Sequence, residues 1–299
     1  MRFWPHRAQG VARRNTAAAP LVRSAMHIET RSARIWVQQQ GDGPAVLLIG
    51  GLGDPAESWA AQIDAFSDRY HVVAPDNRGA GRSALPPTGV SIPAMAEDAA
   101  DVLRSLEIRQ AHVAGFSMGG AVAQELAIRH PALVRSLVLS GTWTDPDVYL
   151  RRLIASWIAA AKAAPSEREL LEWFFLWIYS REWHEDGTVD RLIDETLESP
   201  LAQEADAFFA QAQACMDWAG AAERLRDVTV PTLVIVGDAD ITCPPPLSHL
   251  IVEAMPHAEL AVIQGGAHQP FQERPDEYNS IVAGFWKRVE RRSWSAAAA

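Results

Sequence analysis

Short apolar runs alternate with amphipathic stretches along the chain from about residue 27. The runs expected to form strands are 34–40, 44–50, 71–75, 111–116, 133–140, 232–237 and 260–264. The stretches with helical spacing of apolar residues are 55–66, 92–106, 118–130 and 276–291. Continuous apolar runs are typical of strands that are covered on both faces. The pattern therefore predicts an α/β fold with a mostly parallel central sheet and helices on both faces.

The alternation stops between Ser140 and Thr232, where the apolar spacing is mostly helical. We therefore place an α/β core at 27–141 and 226–291, with a helical cap inserted at 142–225. Six of the eleven tryptophans lie in this interruption, namely Trp143, Trp157, Trp173, Trp177, Trp183 and Trp218. These rings either pack the insertion against itself or line an apolar pocket over the sheet. We expect each interpretation to hold for different tryptophans.

The two ends of the chain differ from this pattern. Five arginines and no acidic residue precede Glu29. A targeting peptide and a twin-arginine export signal at Arg13-Arg14 are alternatives, but a signal needs an apolar segment of about 7 to 15 residues, and none is present. The preferred interpretation is a disordered leader over 1–26, with Met26 as the natural start. A disordered tail is expected over 292–299.

Composition and charge exclude several classes of partner. The chain is 48% hydrophobic and 21% charged, as expected of an ordinary soluble globular protein. A net charge of -10 argues against nucleic acid, because phosphate binding needs a clustered positive surface. No run approaches the roughly 20 apolar residues of a membrane span. We therefore expect neither nucleic acid nor a membrane as a partner.

The two cysteines, Cys215 and Cys243, are too few for a disulfide framework. Two free thiols in a reducing cytosol are the preferred interpretation, which predicts a cytoplasmic location. The nine histidines lack the spacing of zinc motifs. No metal and no organic cofactor is expected. A homodimer is left open.

A G-x-S-x-G motif spans 115–119, between a predicted buried strand and a predicted helix. This context is typical of a nucleophile on a sharp strand-to-helix turn, where the glycines prevent collisions with the neighbouring turn. The same turn places the Met118 amide at a helix N-terminus, which favours developing negative charge. A glycine-rich helix start that only packs closely is the alternative. We predict that Ser117 is the nucleophile.

A serine hydroxyl needs a general base at neutral pH. His268 is the best placed histidine, because it follows the last predicted strand and a parallel sheet brings its loop to the edge where Ser117 lies. Asp238, Asp240 and Asp145 are the carboxylates that could orient it, and the pattern of residues does not choose among them. The order serine, acid, histidine is typical of one hydrolase architecture.

These motifs resemble those of the α/β-hydrolases over about 27–289. Four segments match in order: Gly50-Gly51-Leu52-Gly53 resembles the HGxG oxyanion loop, 76–83 the D-x-R-G-x-G-x-S turn, 237–240 the G-x-x-D acid loop, and 266–268 the histidine loop. The resemblance implies Asp240 as the triad acid. It also implies that the backbone amides of Leu52 and Met118 form the oxyanion hole.

Gly50 departs from the family pattern, because many members have histidine at this position. Glycine keeps the oxyanion amides and leaves the rigidity of the loop and the local shape of the pocket open. A serine at position 117 separates the chain from haloalkane dehalogenases and epoxide hydrolases, which use a carboxylate nucleophile. The cap and the 76–83 turn resemble bacterial 3-oxoadipate enol-lactonase-like and carboxylesterase-like enzymes.

The resemblance implies a cofactor-independent serine hydrolase that cleaves an ester or lactone through an acyl-enzyme. The tryptophans of the cap suggest a small apolar or aromatic substrate, and we expect Gly51, Trp143 and Trp177 to contact it. A carbon–carbon bond hydrolase or a perhydrolase with the same triad is an alternative enzyme. A small-molecule receptor without turnover is the alternative from another class.

Overall fold

The structure is a computed structural model that describes residues 2–3 and 23–297, with side chains over 24–291. The strands are β1 Arg2–Phe3, β2 Arg23–Glu29, β3 Arg34–Gln40, β4 Ala45–Ile49, β5 His71–Pro75, β6 Ala111–Phe116, β7 Val134–Ser140, β8 Gln203–Glu204, β9 Thr232–Gly237 and β10 Glu259–Ile263. The α-helices are α1 Ala60–Phe66, α2 Ile92–Ser105, α3 Met118–Arg129, α4 Val148–Ala163, α5 Glu167–Phe175, α6 Arg181–Glu185, α7 Thr188–Glu198, α8 Ala205–Asp217, α9 Ala222–Leu225, α10 Pro245–Ala254, α11 Pro270–Glu273 and α12 Pro275–Ala297. Short 3₁₀ helices precede α1 and β7.

Eight strands form the central sheet in the order β10-β9-β7-β6-β4-β5-β3-β2. All neighbouring pairs from β10 to β5 are parallel, whereas β3 pairs antiparallel with both β5 and β2. The predicted α/β fold with a mostly parallel sheet is confirmed. Because the carboxyl ends of the parallel strands meet at one edge, the loops after β4, β6, β9 and β10 lie together there.

Apolar side chains cover both faces of this sheet. One cluster includes Trp59, Phe66, Phe285 and Trp286, which belong to α12 and to the helical segment before β5. The other cluster packs α2, α3 and α10 against the opposite face. Strands β6 and β9 are consequently buried at every position, as their continuous apolar sequences predict.

The predicted boundaries at the two ends of the chain are wrong. Strand β2 begins at Arg23 and pairs with β3, so 23–26 belong to the sheet and not to a leader. Only Ile28 is buried within 24–29, and an edge strand held by backbone hydrogen bonds therefore shows no apolar run. Helix α12 continues to Ala297 across most of the predicted tail. The rest of the leader prediction, 4–22, lies outside the described residues.

The segment 142–225, called the insertion below, holds α4 to α9 and the short strand β8. Side-chain caps fix where its first two helices begin: Asp147 accepts from the Leu150 amide at 2.7 Å, and Ser166 accepts from the Glu169 amide at 3.2 Å. Most of its buried apolar side chains, including that of Trp157, belong to the same apolar cluster as α2 and α3. Across the described part of the chain, no helix combines the length and apolar character that a bilayer crossing needs.

Candidate active site

Ser117 lies at the junction of β6 and α3 in a strained backbone conformation. Its φ is 52° and its ψ is -120°, which residues with a side chain rarely adopt and which costs about 1–3 kcal/mol. The Ser117 amide donates to the Ser140 carbonyl at 2.9 Å, and the Ser117 carbonyl accepts from Thr142 Oγ1 at 2.7 Å. The end of β7 and the second residue after it therefore hold the strained turn.

Gly115 and Gly119 permit close backbone approach on either side of Ser117. A Cβ at position 115 would lie 2.3 Å from the Gly119 carbonyl oxygen. A Cβ at position 119 would lie 2.2 Å from the Ile49 carbonyl oxygen and 2.4 Å from that of Gly50. The two glycines of the motif therefore have steric causes, and the start of α3 packs directly on the end of β4.

We expect Gly115→Ala to lower the free energy of unfolding by about 1–3 kcal/mol, because backbone cannot move aside as a flexible side chain does. Urea denaturation measures the change. Gly284→Ala is the control, since a Cβ there meets only Arg288 Nη1 at 3.7 Å. Alanine should raise helix stability at this position by up to about 1 kcal/mol. Equal stabilities of the two variants would contradict the steric explanation.

Ser117, His268 and Asp240 form a continuous chain of hydrogen bonds. Ser117 Oγ lies 3.1 Å from His268 Nε2, and His268 Nδ1 lies 2.9 Å from Asp240 Oδ2. Asp240 Oδ1 accepts from the Thr242 and Cys243 amides, each at 2.8 Å. His268 and Asp240 are both buried. The carboxylate is thus held by the backbone on one side and can orient the imidazole on the other.

The other two candidate acids lie elsewhere. The exposed Asp238 accepts from the Gly265 amide at 2.6 Å. The exposed Asp145 packs against Gly220, where a Cβ would lie 1.6 Å from Asp145 Oδ1. The structure brings Asp240, and not Asp238 or Asp145, to His268.

The loop after β4 contains the first of the two amides expected at the oxyanion hole. Asn77 Nδ2 donates to the Gly50 carbonyl at 2.9 Å, and the Gly51 amide donates to Asp54 Oδ2 at 2.9 Å. Leu52 follows and is half-buried. The second expected donor, Met118, is the first residue of α3, where amides have no acceptor within the helix. Because α3 packs on this loop, the two expected donors lie on adjacent backbone segments.

Asp54 is a buried carboxyl beside this loop that no sequence pattern indicated, and it is 2% exposed. Burial raises the pKa of its carboxyl from 3.8 to about 7, while the Gly51 hydrogen bond and the nearby His268 lower it. A Cβ at position 50 would lie 2.9 Å from the Cβ of Asp54. Glycine at position 50, the departure from the family pattern, therefore leaves room for the Asp54 side chain. An acidic residue directly after Gly53 was the only signal in the sequence.

Asp54→Asn should change how stability depends on pH. The folded chain binds more protons than the unfolded chain between about pH 4 and pH 7, so this carboxyl makes the free energy of unfolding fall as the pH rises. Asparagine can still accept from the Gly51 amide and does not titrate. In the wild-type protein, this carboxyl should lower the free energy of unfolding by up to about 4 kcal/mol across this window. The variant should not show this decrease. Urea denaturation at several pH values measures it, with the exposed Asp68→Asn as control; an unchanged slope for Asp54→Asn would refute the assignment.

Hydrogen bonds join the insertion to the loop that carries Asp240 and to the loop that carries His268. Thr242 Oγ1, beside the acid loop, donates to the Trp177 carbonyl at 2.6 Å. The His268 amide donates to the Ile178 carbonyl at 3.1 Å. The segment after α5 therefore fixes the backbone next to Asp240 and at His268 itself.

Glu273 lies where the insertion contacts the histidine loop, and no sequence pattern indicated it. Its carboxylate is buried and accepts from the Ser180 amide in the insertion and from the Ala267 amide before His268, both at 2.6 Å. Burial raises its pKa, and the two amides oppose that rise. Glu273 thus joins the insertion to the histidine loop.

The three residues expected to contact substrate have different surroundings. The Gly51 position is tight, because a Cβ there would lie 3.1 Å from the Phe116 ring. Trp143 is 2% exposed, and its indole N–H has no hydrogen-bond partner among the described side chains and backbone. Trp177 is half-buried, with its ring 6.2 Å from that of Trp173. Substrate contact by these residues stays a prediction.

The other insertion tryptophans make packing contacts. Trp157 lies 5.0 Å from Phe174, Trp183 stacks on Tyr179 at 5.3 Å, and Trp218 Nε1 donates to Glu125 Oε1 at 2.8 Å. Both cysteines are buried free thiols. Within the described residues, no group of three or more His, Cys, Asp or Glu side chains is arranged to hold a metal ion.

The chain is similar in sequence to a known protein family and to individual proteins. The family model described as alpha/beta hydrolase fold matches residues 44–275. A putative carbamate hydrolase RutD from Azorhizobium caulinodans is 32% identical over 274 residues, which cover 87% of this chain and 97% of that protein.

Two solved structures are similar in fold. Est816, described as an N-acyl homoserine lactone degrading enzyme, has a TM-score of 0.75 and 26% identity, covering 87% of this chain and 100% of its own. The enol-lactonase from Burkholderia xenovorans LB400 has a TM-score of 0.77 over 88% of this chain and 100% of its own. Its identity of 21% supports a shared fold alone.

Proposed function

Because the chain belongs to the α/β-hydrolase fold family, we propose that it is a cofactor-independent serine hydrolase that cleaves esters or lactones of small organic substrates. The observation that carries this proposal is the hydrogen-bonded chain from Ser117 Oγ through His268 to Asp240, at 3.1 and 2.9 Å. Such a chain supplies a nucleophile, a general base and an orienting carboxylate. The lactone-degrading enzyme among the similar structures supports the same class of bond.

In the proposed reaction, Ser117 Oγ attacks the carbonyl carbon while His268 Nε2 accepts the hydroxyl proton. Asp240 stabilises the resulting imidazolium. The carbonyl oxygen gains negative charge and accepts from the Leu52 and Met118 amides, each of which contributes about 3 kcal/mol to lowering the barrier. His268 then gives its proton to the leaving alcohol oxygen, which forms the acyl-enzyme. A water that His268 deprotonates hydrolyses this ester and frees Ser117.

The insertion is proposed to act as a cap that supplies the substrate pocket. Its segment after α5 already bonds to the acid and histidine loops, so a substrate at Ser117 would lie beneath it. We assign substrate contact to Gly51, Trp143 and Trp177. The unpartnered indole N–H of Trp143 supports this role, since it is a buried donor without an acceptor among the described residues. Aromatic walls favour an apolar or aromatic substrate.

A carbamate is the second candidate substrate. The relative described as a putative carbamate hydrolase is 32% identical along nearly its whole length, which supports this class. The chemistry is compatible, because Ser117 would attack the carbamate carbonyl in the same way and form a carbamoyl-enzyme. Nitrogen donates electrons into that carbonyl and slows both attack and release.

Turnover of three matched substrate classes tests the proposal. We would measure p-nitrophenyl butyrate, a small aromatic lactone and a p-nitrophenyl carbamate, and map the site of fluorophosphonate labelling by mass spectrometry. The expected result is hydrolysis of the ester or lactone and labelling of Ser117. Faster turnover of the carbamate would replace the ester assignment with the second candidate. Labelling of Ser117 without turnover of any of the three substrates would overturn the proposed function in favour of a carbon–carbon hydrolase or perhydrolase. Ligand-induced thermal stabilisation without labelling would favour a receptor.

A further inference from the structure

Two buried glutamines of the insertion form a hydrogen bond with each other, and one of them also forms a hydrogen bond with the loop after β4. Gln203 lies in β8 and is 2% exposed, and Gln211 lies in α8 and is fully buried. Gln211 Oε1 accepts from the Gly53 amide at 2.9 Å and from Gln203 Nε2 at 2.9 Å. A side chain of the insertion is therefore the hydrogen-bond partner of a backbone amide next to Leu52.

The same glutamines bond to the turn that follows β5. Gln211 Nε2 donates to the Arg78 carbonyl at 2.8 Å, and Gln203 Nε2 donates to the Gly79 carbonyl at 3.0 Å. The orientation of the Gln211 amide is fixed by these partners, because Gly53 can only donate to it and the Arg78 carbonyl can only accept. The pair thus joins the oxyanion loop, the 76–83 turn and the insertion.

One peptide group of the loop after β4 lies between two peptide groups that are each fixed by a hydrogen bond. The peptide that carries the Gly51 amide is held by Asp54, and the peptide that carries the Gly53 amide is held by Gln211. The peptide between them carries the Leu52 amide. Gly53 has a φ of 79°, and a Cβ there would lie 2.8 Å from Gln203 Oε1. The direction of the Leu52 N–H is thus limited by a core residue on one side and by the insertion on the other.

We propose that Gln211 is a positioning residue of the oxyanion loop, through which helix α8 of the insertion sets the direction of the Leu52 amide. This inference rests on the proposed function, which assigns Leu52 to the oxyanion hole. Without the Gln211 amide, the Gly53 N–H and the Arg78 carbonyl lose their buried partners, and the loop can turn to find others. The transition state then loses one donor, and substrate binding is little affected.

Gln211→Leu tests the inference, because leucine fills a similar volume and cannot form either hydrogen bond. We expect kcat to fall about 10- to 100-fold with KM within about threefold, as for a weakened oxyanion donor. The matched control is Gln213→Leu on the same helix, where the exposed amide donates to Asp217 at 2.8 Å. A merely structural role for Gln211 would lower the melting temperature and leave kcat unchanged, and that result would overturn the inference.

Gln211→Glu adds a readout that depends on protonation. A neutral glutamic acid can accept from the Gly53 amide and donate to the Arg78 carbonyl, whereas a carboxylate cannot donate. Its kcat relative to wild type should therefore recover as the pH falls. A ratio that does not change with pH would contradict the hydrogen-bond geometry.

Hydrogen exchange separates this inference from the proposed function. If the wild-type protein turns over no ester, lactone or carbamate, the proposed function fails. Hydrogen exchange at the Gly53 amide then tests the positioning role of Gln211. Faster exchange of that amide in Gln211→Leu but not in Gln213→Leu supports the inference, and unchanged exchange overturns it.

Discussion

Ser117→Ala is expected to lower kcat for ester or lactone hydrolysis by at least about 10⁴-fold, because the oxygen that attacks the carbonyl is removed. The folded structure should change little. Alanine at a φ of 52° bears the same backbone strain as serine, and the amide and carbonyl of this residue keep their bonds to Ser140 and Thr142. The variant should therefore melt at nearly the wild-type temperature.

Initial rates with the preferred substrate and a thermal melt measure these two effects. Ser105→Ala is the control, since Ser105 is exposed at the end of α2, before β6 begins, whereas Ser117 follows the end of β6. It should keep wild-type kcat. Residual activity of Ser117→Ala above one-tenth of wild type would show that another group is the nucleophile.

Asp240→Asn is expected to lower kcat by about 10⁴-fold through the histidine tautomer. The Thr242 and Cys243 amides both donate to Oδ1 of this residue, so the asparagine must keep its carbonyl oxygen there. Its amide nitrogen then faces Nδ1 of His268 and donates to it. Nε2 consequently carries the ring proton and cannot accept the proton of Ser117.

Asp238→Asn is the matched control for this variant. Asp238 lies two residues earlier in the same loop, and an asparagine can still accept from the Gly265 amide. Its kcat should stay within about twofold of wild type, because a surface hydrogen bond of this kind contributes little. The ratio of the two kcat values checks the cause, since only Asp240→Asn removes the acceptor of the His268 Nδ1 proton. Loss of activity in Asp238→Asn with a fully active Asp240→Asn would refute the choice of acid.

The sequence could predict all strands of the central sheet except β2, and the motif around Ser117, because both leave local signals. Buried parallel strands have continuous apolar sequences, and glycine is required at 115 and 119 because a Cβ at either position would lie 2.2 to 2.3 Å from a backbone carbonyl oxygen. The choice of Asp240 over Asp238 came only from the resemblance to a family. The side chains of neighbouring loop residues point in directions that depend on the backbone path of the turn. The residue types alone do not specify that path.

Asp54, Glu273 and Gln211 could not be predicted because distant segments bury them. Asp54 accepts from the Gly51 amide in its own loop, whereas Glu273 and Gln211 form hydrogen bonds to the backbone of other elements, and no periodic pattern marks any of the three. Gln211 had one weak signal, since it lies on the face of α8 that buries Phe208 and Cys215. A polar residue on an apolar helix face needs a partner, but the sequence does not say where that partner is.

The hydrogen bonds of the candidate site and of the insertion also bear on how fast the chain folds. Their partners are far apart in the chain: 151 residues separate Ser117 from His268, 158 separate Gly53 from Gln211, and 93 separate Ser180 from Glu273. The pairing of β7 with β9 is of similar range, since it brings 137–140 to 232–235 across the whole insertion. Contacts of such long range close large loops, and folding slows as their share rises. We therefore expect this chain to fold slowly for its length, and the arrangement around Ser117 to be complete only when both parts of the core and the insertion have met.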